Sequence, residues 1–149
     1  MVLKQAEEPT PLEKFRSALR ERLRPTRAWG RRAWAIPGGH IPLRSEGEEP
    51  RLTSRDELCI LNVGPADAKI EIIVFYSDRE PVGPYRVTVP ARRTRHIRFN
   101  DLIDPEAIPL DTDFAALVES SAPVVVHFSR LDSEGGSRGM VGSLAYPIP

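Results

Sequence analysis

Carboxylates are concentrated between residues 76 and 113, and carboxylates serve as acids and bases in catalysis or as calcium ligands. The segment carries Asp78, Glu80, Asp101, Asp104, Glu106, Asp111 and Asp113. A calcium loop needs alternating oxygen ligands over about twelve residues, and no such run is present. Nothing in the spacing indicates two carboxylates that converge on a cleft for acid/base work. Beside prolines and strand ends these residues are typical turn formers, so neither site is predicted.

Thiol and imidazole side chains, the usual zinc ligands, lie far apart in the sequence. Cys59, His40, His96 and His127 contain no pair at two- or four-residue spacing. We therefore predict no metal site and no cofactor. A Gly-rich phosphate loop and a nucleophile elbow are also absent from the sequence. These observations indicate a binding protein and not an enzyme.

A cluster of arginines is the strongest electrostatic feature: Arg92, Arg93, Arg95 and Arg98. Alternation along a strand sends Arg93 and Arg95 to one face and Arg98 to the other, so no continuous basic stripe for duplex binding results. The side chains are expected either to be solvated or paired with carboxylates, or to form a phosphate- or partner-binding patch.

Aromatic side chains offer an alternative function. Trp34 or Tyr85 could line a cleft with Asp78, Arg130 and Asp132, and stack on a sugar or another small ligand. Core packing is the other interpretation of both rings.

The composition is that of an ordinary globular domain. The 149 residues are 40% hydrophobic and 28% charged, and 21 basic side chains balance 21 acidic ones. Residues 1–32 nevertheless hold nine basic and four acidic side chains, a net charge of +5. A single cysteine and the absence of a signal-peptide or membrane-spanning apolar run predict a cytoplasmic protein without direct membrane insertion.

Two domains are predicted. Residues 1–30 form a basic amphipathic helical extension: Thr10-Pro11-Leu12-Glu13 is a helix start signature, and Pro25 is the stop. Residues 31–149 read as eight short strands separated by turns of a few residues, which indicates an all-β fold, an antiparallel, jelly-roll-like β-sandwich. The predicted strands are 33–36, 57–63, 68–76, 85–89, 94–99, 114–119, 124–131 and 143–146, with turns that include 64–67, 81–84, 90–93 and 120–123.

Two strands are apolar on both faces. From Ile72 to Tyr76 and at Val124-Val125-Val126 the alternation of polar and apolar side chains is lost. Because a small sandwich covers one face of each sheet, the second apolar face is best explained by contacts between identical subunits. We therefore expect a homo-oligomer.

Several motifs resemble the soluble sensory rhodopsin transducer family. They are WAI at 34–36, CILN at 59–62, YSD at 76–78, EPVGPYR at 80–86, VPARRT at 89–94, RFNDL at 98–102, DTDFA at 111–115 and RLDS at 130–133. The resemblance covers about residues 30–146, and the first 28 or so residues lie outside it.

The resemblance implies a small cytoplasmic β-sandwich that assembles as a homotetramer and relays the state of a membrane sensory rhodopsin through protein contacts. DNA association and sugar-like ligand binding are further implied alternatives. The residues carried over as partner-binding are charged loop residues: Asp78, Glu80, Arg92, Arg93, Asp101, Arg130 and Asp132. Their expected role is electrostatic steering at the rim of an interface.

Overall fold

The computed structural model describes residues 8–23 and 28–149. Its described part contains one α-helix followed by antiparallel strands. The helix α1 is Pro11–Arg22, and the strands are β1 Arg31–His40, β2 Arg55–Asn62, β3 Ala68–Phe75, β4 Val82–Val89, β5 Arg93–Arg98, β6 Asp113–Asp132, β7 Gly139–Leu144 and β8 Tyr146–Ile148. Single 3-10 turns occur at Phe99–Asp101 and Glu134–Gly136.

The helix begins where the sequence predicts. The Glu13 N–H donates to Thr10 Oγ1 at 3.2 Å, and the Thr10 N–H donates to Glu13 Oε2 at 2.8 Å, so both halves of the capping box form. The predicted stop at Pro25 lies outside the described residues. None of the helix residues is buried. Its stability therefore comes from local capping more than from tertiary packing.

The strands form two antiparallel layers that share β6. The first sheet has the order β4-β3-β6-β1-β8, and the second consists of β5, β2, β6 and β7 in that order. Both layers contribute to one core, in which Ile72 and Val118 of the first sheet meet Ile60 and Val126 of the second. The prediction of an all-β antiparallel sandwich is confirmed.

The predicted turn at residues 120–123 is wrong. β6 runs without a break through this segment: its pairing with β3 ends at Ser120, it still pairs with β1 at Val124, and it joins β2 of the second sheet from Val125. Side-chain hydrogen bonds hold the corner: Ser120 Oγ donates to the Ala122 carbonyl at 2.6 Å, and the Lys69 N–H donates to Ser121 Oγ at 2.9 Å. Serines and a proline therefore mark a change of sheet here.

The last predicted strand, 143–146, is divided in the structure. β7 pairs with β6 in the second sheet, whereas β8 pairs with β1 in the first. Ala145 lies between them and is buried. A short apolar run that joins two layers cannot be told from a single strand by its pattern alone.

The sandwich has two ends with different contents. At the first, which we call the cleft end, β1, β3 and β5 finish, β2, β4 and β7 begin, and both ends of β6 meet. At the second, the helix end, the loops at 63–67 and 90–92 lie beside α1. This division decides which functional residues can act together.

Candidate functional site

A cleft of about 460 Å³ opens at the cleft end of the sandwich. Its polar lining includes His40, Tyr76, Ser77, Asp113 and Arg130. These side chains come from the ends of β1 and β3 and from both halves of β6. The sheet change in β6 therefore builds the cleft, because it brings residues 113 and 130 to the same end.

A shift in strand register places His40 at the cleft. Between Ile36 and Gly39 the pairing of β1 with β6 slips, and His40 then stands opposite Asp113. Gly39 is required at this point, since a Cβ there would lie 2.2 Å from the ring of Phe114. His40 Nδ1 lies 2.8 Å from Asp113 Oδ1, which fixes the orientation of the imidazole.

An ion pair between buried Asp56 and half-buried Arg130 forms the floor of this end. Asp56 is fully buried and accepts hydrogen bonds from Arg130 Nε at 2.8 Å and Nη2 at 2.9 Å. The His40 N–H donates to the same carboxylate at 2.6 Å. Hydrogen bonding to Asp56 raises the pKa of the Arg130 guanidinium, which also stacks over the Phe128 ring. Three donors thus satisfy the carboxylate, as a buried charge requires.

The predicted partner-binding residues are divided between the two ends. Those at the cleft end are Asp78, Glu80, Asp101, Arg130 and Asp132, and those at the helix end are Arg92 and Arg93. The structure therefore does not bring all seven into one surface. Since β3 and β5 run the length of the sandwich between the two groups, a single small contact cannot include both.

The charged residues also differ in how they are held. Asp78 pairs with Arg79 through bonds of 2.9 and 3.1 Å, which lower the pKa of the Asp78 carboxyl, and both side chains stay accessible. Asp132 accepts the Glu134 N–H at 2.9 Å. Arg92 adopts a left-handed backbone with φ 56°, and its N–H donates to the Gly64 carbonyl. Two of these carboxylates are therefore already engaged by local donors.

A groove of about 520 Å³ separates α1 from the sandwich at the helix end. Phe15 and Leu19 of the helix face Leu61 across it, and all three are at least 40% exposed. Four arginines also line it: Arg16, Arg20, Arg92 and Arg93. The groove is therefore both apolar and basic.

Trp34 and Tyr85 lie in the core, contrary to the ligand-stacking interpretation. Their exposed fractions are 5% and 1%. Trp34 Nε1 donates to the Val124 carbonyl at 3.1 Å, and the Tyr85 hydroxyl donates to the Glu106 carbonyl at 2.7 Å. Burial, with the nearby Tyr76 and Glu106, raises the pKa of Tyr85 to about 12. Neither ring presents a face to a ligand.

The arginine cluster is split as predicted. Arg98 lies opposite Glu57 on the outer face of the second sheet, whereas Arg93 and Arg95 belong to the other face. Arg98 Nε lies 3.8 Å from Glu57 Oε2, and Arg95 donates to the Thr88 carbonyl at 2.7 Å. The partner of Arg98 is thus a carboxylate on β2, not one of the loop acids.

Sequence spacing missed one cluster, which forms across strands. Glu57 and Cys59 of β2 lie beside His96 of β5, on the outer face of the second sheet. Burial, together with Glu57, raises the pKa of the Cys59 thiol. Because His96 follows Cys59 by 37 positions, only the pairing of β2 with β5 shows the contact.

The chain is similar to known proteins in both sequence and fold. The family model described as Anabaena sensory rhodopsin transducer matches residues 29–147. A solved structure of the Anabaena sensory rhodopsin transducer is 56% identical, with a TM-score of 0.60, and the match covers 66% of this chain and 96% of that one. The chain belongs to the Anabaena sensory rhodopsin transducer family.

A second similar solved structure is the crystal structure of Thermotoga maritima 1070. It is 32% identical with a TM-score of 0.70, and the match covers 80% of this chain and 96% of that one. No curated protein matches the chain.

The sensory rhodopsin transducer match includes every candidate site residue and excludes α1. All seven charged residues, the cleft and the Glu57, Cys59, His96 cluster lie between residues 29 and 147. The helix at Pro11–Arg22 precedes the match. Among the described residues, no helix has the length and hydrophobicity that a membrane crossing needs.

Proposed function

We propose that this protein is a non-enzymatic signalling adaptor that acts in the cytoplasm and relays the state of a membrane sensory rhodopsin through protein contacts. The single observation that supports this function is its membership of the transducer family over residues 29–147. The exposed charges fit such a role, because charges at an interface rim speed association and select the partner.

The cleft end is the proposed receptor contact. It carries five of the seven charged residues, and Asp78 and Glu80 are exposed in the loop between β3 and β4. The ion pair between buried Asp56 and Arg130 lies at the same end, and Arg130 lines the cleft together with Tyr76 and Ser77. Arg92 and Arg93 are a second proposed contact at the opposite end.

Charge reversal at each end tests the assignment. Binding to the sensory rhodopsin of the same organism, in detergent or nanodiscs, would be measured by surface plasmon resonance for the intact protein. The double variant Asp78→Lys, Glu80→Lys is expected to weaken binding at least about tenfold, chiefly through the association rate. The double variant Arg92→Glu, Arg93→Glu is the matched reversal at the helix end.

The two variants separate the outcomes. If the Arg92 and Arg93 reversal alone weakens binding, the contact lies at the helix end and not at the cleft end. If the intact protein binds no such receptor at low or moderate salt, the proposed function is wrong.

Self-association is the second part of the proposal, and a second copy is the proposed occupant of the outer face of the first sheet. Ile73 lies opposite Leu117, and Phe75 opposite Ala115, in the pairing of β3 with β6. Ala35 of β1 stands on the far side of Leu117. Phe75 is 40% exposed. Together these side chains form an apolar strip across the neighbouring strands β3, β6 and β1. Such a strip matches the core of a homo-oligomer interface.

Sedimentation velocity tests the second part. Phe75→Lys is expected to lower the mass to that of a smaller assembly, because a charge in an apolar interface stays unpaired. Leu144→Lys places the same charge at a 69% exposed position on the second sheet and serves as the control. A monomer in the unmodified protein would contradict this part.

Ligand binding is a second candidate function, favoured by the cleft itself. Its lining combines the Tyr76 ring with His40, Asp113 and Arg130, and the Tyr76 hydroxyl is buried without a partner. A polar aromatic cleft of about 460 Å³ has room for a sugar-sized molecule. Calorimetry with a panel of sugars tests it, with His40→Ala as the cleft variant. Absence of heat with every sugar would remove this candidate.

A further inference from the structure

Three side chains with different donor atoms meet on the outer face of the second sheet, away from the cleft. Alternation along β2 places Glu57 and Cys59 on the same face, and strand pairing sets His96 of β5 directly opposite Cys59. Their donor atoms, a carboxylate oxygen, a thiol sulfur and an imidazole nitrogen, all lie within 4.8 Å of one another. The outer face of a sheet leaves the group accessible to a small ion.

The distances between the donors correspond to the edges of a metal coordination tetrahedron. Cys59 Sγ lies 3.7 Å from Glu57 Oε1 and 3.6 Å from His96 Nδ1, and these two atoms are 3.0 Å apart. Bond lengths of about 2.3 Å for Zn–S and about 2.0 Å for Zn–N and Zn–O give tetrahedral edges of about 3.5 Å to sulfur and about 3.3 Å between nitrogen and oxygen. Shifts of a few tenths of an ångström therefore suffice for coordination.

We propose that Glu57, Cys59 and His96 form a Zn²⁺-binding site. Thiolate, imidazole and carboxylate are the three side-chain ligands that zinc uses in proteins. Calcium and magnesium prefer oxygen donors alone, so the sulfur and nitrogen select against them. Coordination by Cys59 displaces the thiol proton to solvent, and a water molecule completes the four-coordinate ion.

The surroundings of Glu57 support this assignment. Its other carboxylate oxygen, Oε2, faces Arg55 Nε at 3.3 Å and Arg98 Nε at 3.8 Å. These contacts fix the carboxylate from the side opposite the cluster and leave Oε1 directed at Cys59 and His96. Glu57 is largely buried, with a side-chain exposure of 13%, so its orientation is set before an ion arrives. Such outer contacts orient a ligand, and their loss typically costs about 10- to 100-fold in metal affinity.

His127 provides a matched control. It stands opposite Cys59 on the other neighbouring strand, β6, and so shares the same face. Its ring, however, lies against β7: a Cβ built on Gly142 of that strand would be only 2.9 Å from His127 Nε2. Removal of His127 thus takes away a nearby imidazole without removing a proposed ligand.

Competition with a chromophoric zinc chelator tests the site on the intact, reduced protein. One Zn²⁺ per chain is expected to bind, and Cys59→Ser and His96→Ala are each expected to weaken binding at least about tenfold. His127→Ala should leave the affinity within about twofold of the unchanged protein. With Co²⁺ in place of Zn²⁺, a thiolate charge-transfer band should appear and disappear in Cys59→Ser.

The substitutions fall on an outer face, and thermal unfolding in the presence of a chelator checks that each variant folds. Zinc should raise the unfolding temperature of the unchanged protein and of His127→Ala, but not that of Cys59→Ser. The proposal is overturned if the protein binds no zinc, or if folded Cys59→Ser and His96→Ala retain full affinity. Loss of receptor binding in the experiments above would leave this result unaffected, because the two surfaces share no residue.

Discussion

The two ends of the sandwich carry charge in different ways. At the cleft end, buried Asp56 holds Arg130 and the His40 backbone, so one charge of this end is anchored in the core while Asp78 and Glu80 stay exposed. At the helix end, Arg92 and Arg93 are exposed, and α1 lies across an open groove without a buried residue. Function that needs fixed geometry is therefore better served by the cleft end, whereas the helix end can adapt to a partner.

The two ends also differ in whether they fall within the match to the transducer family. The cleft end lies within the residues that match the transducer family, whereas α1 precedes the match. Since none of its residues is buried, α1 contributes little to the core of the sandwich. Its apolar and basic groove is the feature by which this chain differs from the matched region alone.

The largest difference in the free energy of unfolding is expected when a leucine is changed to alanine in the sandwich and in the helix. Leu58→Ala removes a side chain that is 0% exposed, and a loss of about 4 kcal/mol in the free energy of unfolding is expected. Leu19→Ala, at 40% exposure in α1, should cost about 0.5 kcal/mol. Urea denaturation measures both. Similar losses at the two positions would show that α1 is packed as firmly as the sandwich.

The ion pair of buried Asp56 with Arg130 gives the next largest effect. Asp56→Ala leaves Arg130 and the His40 N–H without their acceptor, and a loss of about 3 kcal/mol in the free energy of unfolding is expected. Glu71→Ala breaks an exposed pair with Arg86 and should cost at most about 1 kcal/mol. If Asp56→Ala were as mild as Glu71→Ala in chemical denaturation, the Asp56 carboxylate would not be anchoring the cleft end in the core.

The smallest effect is a pH dependence that comes from Tyr85, a buried residue of β4. Burial raises the pKa of Tyr85 to about 12, above the value of about 10 for an unfolded tyrosine. The folded protein thus holds this proton more tightly, which stabilises it below about pH 10, and this contribution is lost as the pH rises toward 12. Unfolding temperatures should fall over this range.

Two tyrosine variants separate this contribution from general alkaline denaturation. Tyr85→Phe removes the titrating hydroxyl, so its unfolding temperature should fall less steeply between about pH 10 and 12. Tyr146→Phe changes a tyrosine that is 66% exposed and should follow the unmodified protein. Equal slopes for both variants would mean that Tyr85 is not the group responsible.

Most of the fold could be predicted from local sequence, because local sequence controls its elements. The Thr10 to Glu13 spacing contains the whole capping box, and strand alternation locates β1 to β5. Alternation also assigns Arg98 to the face opposite that of Arg93. Local pattern was insufficient at residues 120–123, because serine and proline suit both a hairpin turn and a strand that changes sheets.

The candidate site was less predictable, because it depends on pairing between distant strands. Family motifs identified Arg130, but nothing in the sequence indicated that buried Asp56 is its partner. Trp34 and Tyr85 were open to two interpretations, and burial decided between them.

The sequence alone determined a helix, a set of antiparallel strands and membership of a transducer family, since capping, alternation and motifs are short-range properties. Tertiary structure decided that Arg92 and Arg93 lie at the end opposite Asp78, and that His96 stands beside Cys59. The physical reason is strand register: a shift of one residue turns every side chain to the other face, and register is set by the packing of the whole core.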